Sequence, residues 1–204
     1  ITTDINQNQK AGWSHNMEYS VDDIYNAVAY AETGSSYAAK DNPWIRTVAK
    51  NVEGGSNAYG PVQMLSNLVS GARKQVTKEG KPLIDFSPEE ITFMDRFEKQ
   101  GNLFYQHGNV PGAPKEFDYG GGGFDWSDDE KNLYTSVAKK IIDYEYSSSW
   151  RADKDINKFI ESWRGKSEKD DLPYYKKVKS KLPTTLDRIK TENKVFNQLL
   201  NTEK

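Results

Sequence analysis

Helix-start signatures recur along this chain, each followed by apolar residues at three- and four-residue spacing, and they narrow the possible folds most. Ser20 precedes Val21, Ile24, Tyr25 and Val28, and Asp23 stands where the reciprocal carboxylate of a capping box would be. Ser87-Pro88-Glu89-Glu90 joins an N-cap, a proline at the first helical position and a capping-box Glu, ahead of Ile91, Met94 and Phe97. Ser127 and Glu130 repeat the pattern before Leu133, Tyr134, Val137, Ile141 and Ile142. Ile156, Phe159, Ile160 and Trp163 give a further face closed by Gly165. Thr184 or Thr185 opens a last helix carrying Leu186, Ile189, Val195, Phe196 and Leu199. The expectation is a mainly α fold.

Between these segments the breaks are Gly- and Pro-rich. Gly60 is expected to turn the chain and Pro61 to open a helix with Val62, Leu65, Leu68, Val69, Ala72 and Val76, ending near Gly80. Gly101 is expected to end the Ser87 helix, with Leu103, Phe104 and Tyr105 forming a separate short piece before Gly108. Residues 35–55 read as loop, anchored by Trp44 and Ile45, with room for a small β-hairpin. Residues 108–126 read as irregular. Gly120 to Gly123 are followed by no Gly-Lys-Ser/Thr, so they are not a phosphate loop.

Composition bounds the function. The 204 residues are enough for one domain, with 35% hydrophobic content and a mean hydropathy of −0.87 implying a modest core. We divide them into an N-terminal arm at 1–19, a domain at 20–182 and a C-terminal helix or linker at 183–204. A net charge of −2 argues against duplex nucleic acid as the partner. Residues 164–204 nonetheless carry eleven Lys/Arg against six Asp/Glu. This is a solvated helical face or a weak attraction to an anionic surface. There is no cysteine, hence no disulfide, thiol nucleophile or Cys-zinc site, and His15 and His107 have no ligand spacing. No metal or cofactor is expected. No apolar run reaches the roughly 18–20 residues of a membrane span, and no secretory signal is visible in these residues.

Glu32 is the candidate for chemistry. It lies four residues after Val28 and eight after Ile24, on the apolar face of the Ser20 helix, near an end that Gly34 is placed to close in a left-handed conformation. Desolvation and the C-terminal end of the helix dipole both disfavour a carboxylate there. Such a carboxyl keeps its proton toward neutral pH and can donate it. The plainer reading is a boundary residue whose carboxylate reaches solvent past Gly34.

The order of motifs around Glu32 resembles a known family. Glu32-Thr33 ends one helix; Asn42-Pro43-Trp44-Ile45-Arg46-Thr47 and a turn-rich loop follow; then comes Ala58-Tyr59-Gly60-Pro61-Val62-Gln63-Met64. This resembles the lytic transglycosylases, relatives of goose-type lysozyme that cut peptidoglycan, and its details look like the phage-encoded members. Further on, Trp163-Arg164-Gly165 and Tyr174-Tyr175-Lys176-Lys177-Val178 resemble that family's third motif. There Trp163 stands for the usual Tyr and Arg164 for the usual Asn.

The resemblance implies a lysozyme-like single domain acting on peptidoglycan glycan strands. Glu32 would be the catalytic acid and then base, and Tyr59, Gly60, Gln63, Trp163 and Tyr174 would bind substrate. It also implies residence in a phage virion, with other virion or tail proteins as partners and the bacterial wall as the place of action. Two alternatives stand beside it. One is an inverting hydrolase using a second carboxylate, Asp41 or Glu53, to activate water. The other is a virion protein that binds the wall without turnover.

Overall fold

The computed structural model describes residues 18–34, 44, 58–107, 126–148, 150 and 152–202, except for the side chains of residues 59, 100–107 and 199–202. Helices dominate. They are α1 (Val21–Ala29), α2 (Ser66–Arg73), α3 (Pro88–His107), α4 (Asp128–Ser147), α5 (Ile156–Arg164), α6 (Leu172–Lys179) and α7 (Thr185–Thr202). A two-stranded antiparallel hairpin, β1 (Ala58–Tyr59) and β2 (Met64–Leu65), pairs Ala58 with Leu65 and Tyr59 with Met64.

Local hydrogen bonds start the helices where the sequence expects them. Ser20 Oγ accepts from Asp23 N at 3.1 Å while the Asp23 carboxylate accepts from Ser20 N at 3.2 Å. Ser87 and Glu90 exchange the same pair at 3.2 and 2.7 Å. Ser127 Oγ accepts from Glu130 N at 3.3 Å, but the Glu130 carboxylate takes Trp126 N at 3.0 Å and pairs with Arg96. At the other end of α5, Gly165 adopts φ +71° and donates its N–H to Glu161 O at 2.8 Å. A glycine meets that left-handed requirement without strain.

Two expectations about helix extent are corrected. Pro61 does not open a helix. Residues 60–63 are the hairpin loop, with Gly60 at φ +72°, Gln63 at φ +50° and Gln63 N donating to Gly60 O at 3.0 Å. Helix α2 begins only at Ser66, and beyond its end Val76 bridges Pro82 around Gly80. Gly101 does not end α3, which runs unbroken to His107. An interior glycine costs about 1 kcal/mol, too little to stop a helix whose earlier turns are anchored by buried Phe93, Met94 and Phe97.

Helix α4 is the centre of the core. Tyr134, Val137, Ala138, Ile141 and Ile142 are fully buried along it, and each large apolar side chain contributes about 1.5–3 kcal/mol on burial. Helices α1, α3 and α5 pack on α4, α2 packs on α3, and α6 packs on α1 and on the turn that follows it. Tyr25 and Val28 of α1, Phe159 and Ile160 of α5, and Tyr174, Tyr175 and Val178 of α6 complete this core. Helix α7 leaves Leu186, Ile189, Val195 and Phe196 exposed. Its Arg188 holds the Glu18 carbonyl and lies over the Tyr19 ring at 5.3 Å. No helix among the described residues is long and apolar enough to cross a membrane.

Candidate active site

Glu32 does not sit on a regular helix end. The α-helix stops at Ala29, and Tyr30–Gly34 form one π-helical turn, so Gly34 is not the left-handed terminator the sequence suggests. Such single widened turns are rare and recur at functional positions. This one buries Ala31 and Thr33 and leaves Glu32 partly buried between them. The Thr33 hydroxyl lies 3.0 Å from both Ala29 O and Pro61 O. It has one hydrogen to share between them, and through it the acid's turn is tied to the hairpin loop.

That loop is fixed from below by α4. The Tyr134 hydroxyl accepts from Met64 N at 3.5 Å. Its ring is wedged between Trp44, Trp126 and Phe97, with centroids at 5.4, 5.8 and 6.4 Å. Gly60 lies directly against this ring: a Cβ there would fall 2.4 Å from Tyr134 Cζ. Glycine is required at position 60 by both its backbone angle and the space available. The Gln63 amide nitrogen donates back to Gly60 O at 2.8 Å, bracing the loop. Gln63 thus sits in the hairpin loop and not in the first turn of a helix opened by Pro61.

The partner of the acid is Tyr174, 142 residues away in sequence, whose hydroxyl donates to Glu32 Oε1 at 2.8 Å. Burial pushes the Glu32 carboxyl above its ordinary value. The Tyr174 hydrogen bond, Arg164 and Lys177 pull it down and Asp171 pushes it up, and desolvation wins. The phenol of Tyr174 is itself pushed far up by burial and by the Glu32 charge, so it stays a donor. The Arg164 guanidinium lies over the Tyr174 ring at 4.8 Å, and its Nε donates to Asp171 Oδ2 at 2.9 Å. Among the described residues the opposing cations are Arg164 and Lys177; Arg46, Asp41 and Glu53 lie outside them.

The buried Glu90 behaves differently. Glu90 is 4% exposed, and burial pushes it up as well. Hydrogen bonds from Lys140, Ser136 and Ser87 nevertheless bring it below the ordinary value. Its Oε2 accepts from Lys140 Nζ at 2.7 Å, so it is a paired structural carboxylate. The partly buried Asp171 and the exposed Glu89 and Asp187 are also lowered. Glu32 moves the opposite way because its neighbours compensate its desolvation only in part.

Of the residues chosen from sequence, the structure brings Tyr174 onto Glu32 and joins Gly60 and Gln63 to the Glu32 turn through Pro61 and Thr33. Tyr59 lies in β1. Trp163 is stacked on Phe159 at 5.8 Å, at the edge of the core, and the contact with the site comes from its neighbour Arg164. Thr33, Tyr134 and Asp171 were missed. Thr33 was visible as half of the Glu-Thr pair, and Arg164 as a departure from the motif. Tyr134 was legible only as a core position of its helix, and Asp171 carried no signal in sequence. A separate open cleft of about 500 Å³ lies between Ile84, Tyr144 and the exposed Trp150. It holds none of these groups. Among the described residues no His, Asp or Glu cluster could hold a metal ion. No family model, curated protein or solved structure matches the chain.

Proposed function

We propose that this protein is a peptidoglycan-cleaving lytic transglycosylase with a lysozyme-like fold, acting on the β-1,4 bond between N-acetylmuramic acid and N-acetylglucosamine. The observation that carries the reading is Glu32: a partly buried carboxyl, raised in pKa, with a tyrosine hydroxyl donating to one oxygen. With Oε1 occupied by Tyr174, the proton resides on Oε2. It passes to the bridging oxygen as the C1–O bond breaks. The resulting carboxylate is stabilised by the Tyr174 hydroxyl and the Arg164 charge. It then removes the proton from the muramic C6 hydroxyl as that oxygen closes onto C1. One carboxyl serves twice because opposing influences, burial on one side and Tyr174 and Arg164 on the other, hold it between strong acid and strong base.

An inverting hydrolase would need a second carboxylate about 6.5–9.5 Å from the first and free to activate water. Asp171 is the described carboxylate that acts on Glu32, and it is engaged by Arg164. Among the described residues this favours the single-carboxyl route; Asp41 and Glu53 lie outside them. Under the same reading the protein belongs to a phage virion and meets the bacterial wall there. A peptidoglycan zymogram is the test. Wild-type protein should clear the gel, Glu32→Gln protein of unchanged circular dichroism should not, and mass spectrometry of the digest should find 1,6-anhydro ends. Clearing by Glu32→Gln removes the assignment. Reducing ends would mean a hydrolase, and no clearing by wild type would leave a wall-binding protein.

A further inference from the structure

We propose that Arg164, locked by Asp171, is a positioning residue for the Glu32 acid: it braces the Tyr174 ring so that the phenol stays aimed at Oε1. The role deepens the glycosidase reading and rests on it. Three contacts carry it. Asp171 Oδ2 accepts from Arg164 Nε at 2.9 Å, the guanidinium covers the Tyr174 ring at 4.8 Å, and the ring's hydroxyl donates to Glu32 at 2.8 Å.

Asp171 grips both sides of this stack. Its carboxylate holds the arginine, and its backbone carbonyl accepts from Tyr174 N at 3.0 Å and Tyr175 N at 3.3 Å, fixing the start of α6. Arg164 is the last residue of α5, immediately before the left-handed Gly165. The stack therefore spans the ends of two helices.

A cation at a helix C-terminus paired with a surface carboxylate is ordinarily worth little. This pair differs because the guanidinium lies on a buried ring that touches the acid. Only a planar group can stack while donating from its edge, which lysine cannot do. Among the described residues, the groups acting on Glu32 from the elements around it are Tyr174 and Lys177 of α6, Arg164 of α5, Asp171 before α6, and Tyr134 of α4. Arg164 and Lys177 are the cations among them, and Arg164 alone of the two covers Tyr174.

The test uses the full chain with 13C-labelled glutamate, the Glu32 carboxyl resonance being assigned by its loss in Glu32→Gln. Its titration midpoint is followed in wild type, Arg164→Met, Arg164→Lys and Asp171→Asn, alongside kcat and KM for peptidoglycan lysis. In Arg164→Met the midpoint should rise, because a cation is lost. There kcat should fall about tenfold, the scale of one hydrogen bond to a charged group, with KM within about twofold. Arg164→Lys should return the midpoint toward wild type but restore kcat only in part, and Asp171→Asn should lower kcat. If Arg164→Met fails to fold, the Lys and Asn variants carry the test: wild-type kcat in both overturns the proposal. An unmoved midpoint in folded Arg164→Met, whatever its stability, also overturns it. Absence of lysis by wild type with a midpoint that still responds would instead overturn the peptidoglycan reading.

Discussion

Gly60→Ala should destabilise the protein through two separable costs. At φ +72° an alanine must adopt the left-handed region, which costs about 1–2 kcal/mol for an L-residue. Its Cβ would also meet Tyr134 Cζ, Cε2 and Oη at 2.4, 2.6 and 2.7 Å. Those atoms belong to a fully buried ring hemmed in by Trp44, Trp126 and Phe97, so it cannot simply swing away. Overpacking of this kind costs about 1–3 kcal/mol. Together the loss is about 2–5 kcal/mol, or on the order of 10 °C in Tm for a chain this long. Gly80 is the internal control: its φ is +79° but a Cβ there meets nothing within 4 Å. Gly80→Ala should therefore carry only the backbone cost. Urea denaturation of both variants reads the difference, and a Gly60/Tyr134→Leu double variant should lose about 1–3 kcal/mol less than the sum of the singles. Equal losses at Gly60 and Gly80, or a Gly60→Ala loss within about 0.5 kcal/mol, would refute the argument that packing against Tyr134 dictates this glycine.

Tyr174→Phe removes the donor to Glu32, so the carboxyl's pKa should rise further and the alkaline limb of the pH–rate profile should move up. The peak rate should drop about tenfold, as expected for one hydrogen bond to a charged group; a limb that moves down would contradict this. Glu32→Gln should be as stable as wild type or more so at pH 7. A raised folded pKa gives stability that is full below the unfolded value of about 4.3 and lost as pH rises through the folded value. The two proteins should therefore converge below about pH 4. Denaturation at the two pH values decides this, and a mutant clearly weaker at pH 7 would mark Glu32 as a paired structural carboxylate. Thr33→Val should cost about 1–2 kcal/mol by removing the hydroxyl that the Ala29 and buried Pro61 carbonyls share. It should also lower lysis by loosening the hairpin from the acid's turn, and full activity in a destabilised Thr33→Val would separate the two.

The sequence by itself determined three capped helix starts and marked Glu32 as the candidate acid. Ser20 with Asp23, Ser87 with Glu90, and Ser127 with Glu130 are legible because each bond closes within three residues, so local chemistry decides it. Glu32 was legible because apolar spacing put a carboxyl at the edge of a buried face. The tertiary structure decided how that carboxyl is held. Tyr174 and Glu32 are 142 residues apart, and their hydrogen bond depends on α6 packing against α1. The hairpin at 58–65 in place of a helix start was equally out of reach. Proline after glycine suits either a helix start or a turn, and the choice is made by the Tyr134 ring from α4 and the Thr33 hydroxyl. The π-helical turn carries no residue signature at all. A register of one extra residue costs little locally, and whether it forms depends on what the displaced side chains then meet. Here those are Thr33 on Pro61 and Glu32 on Tyr174, contacts that exist only once the helices have packed.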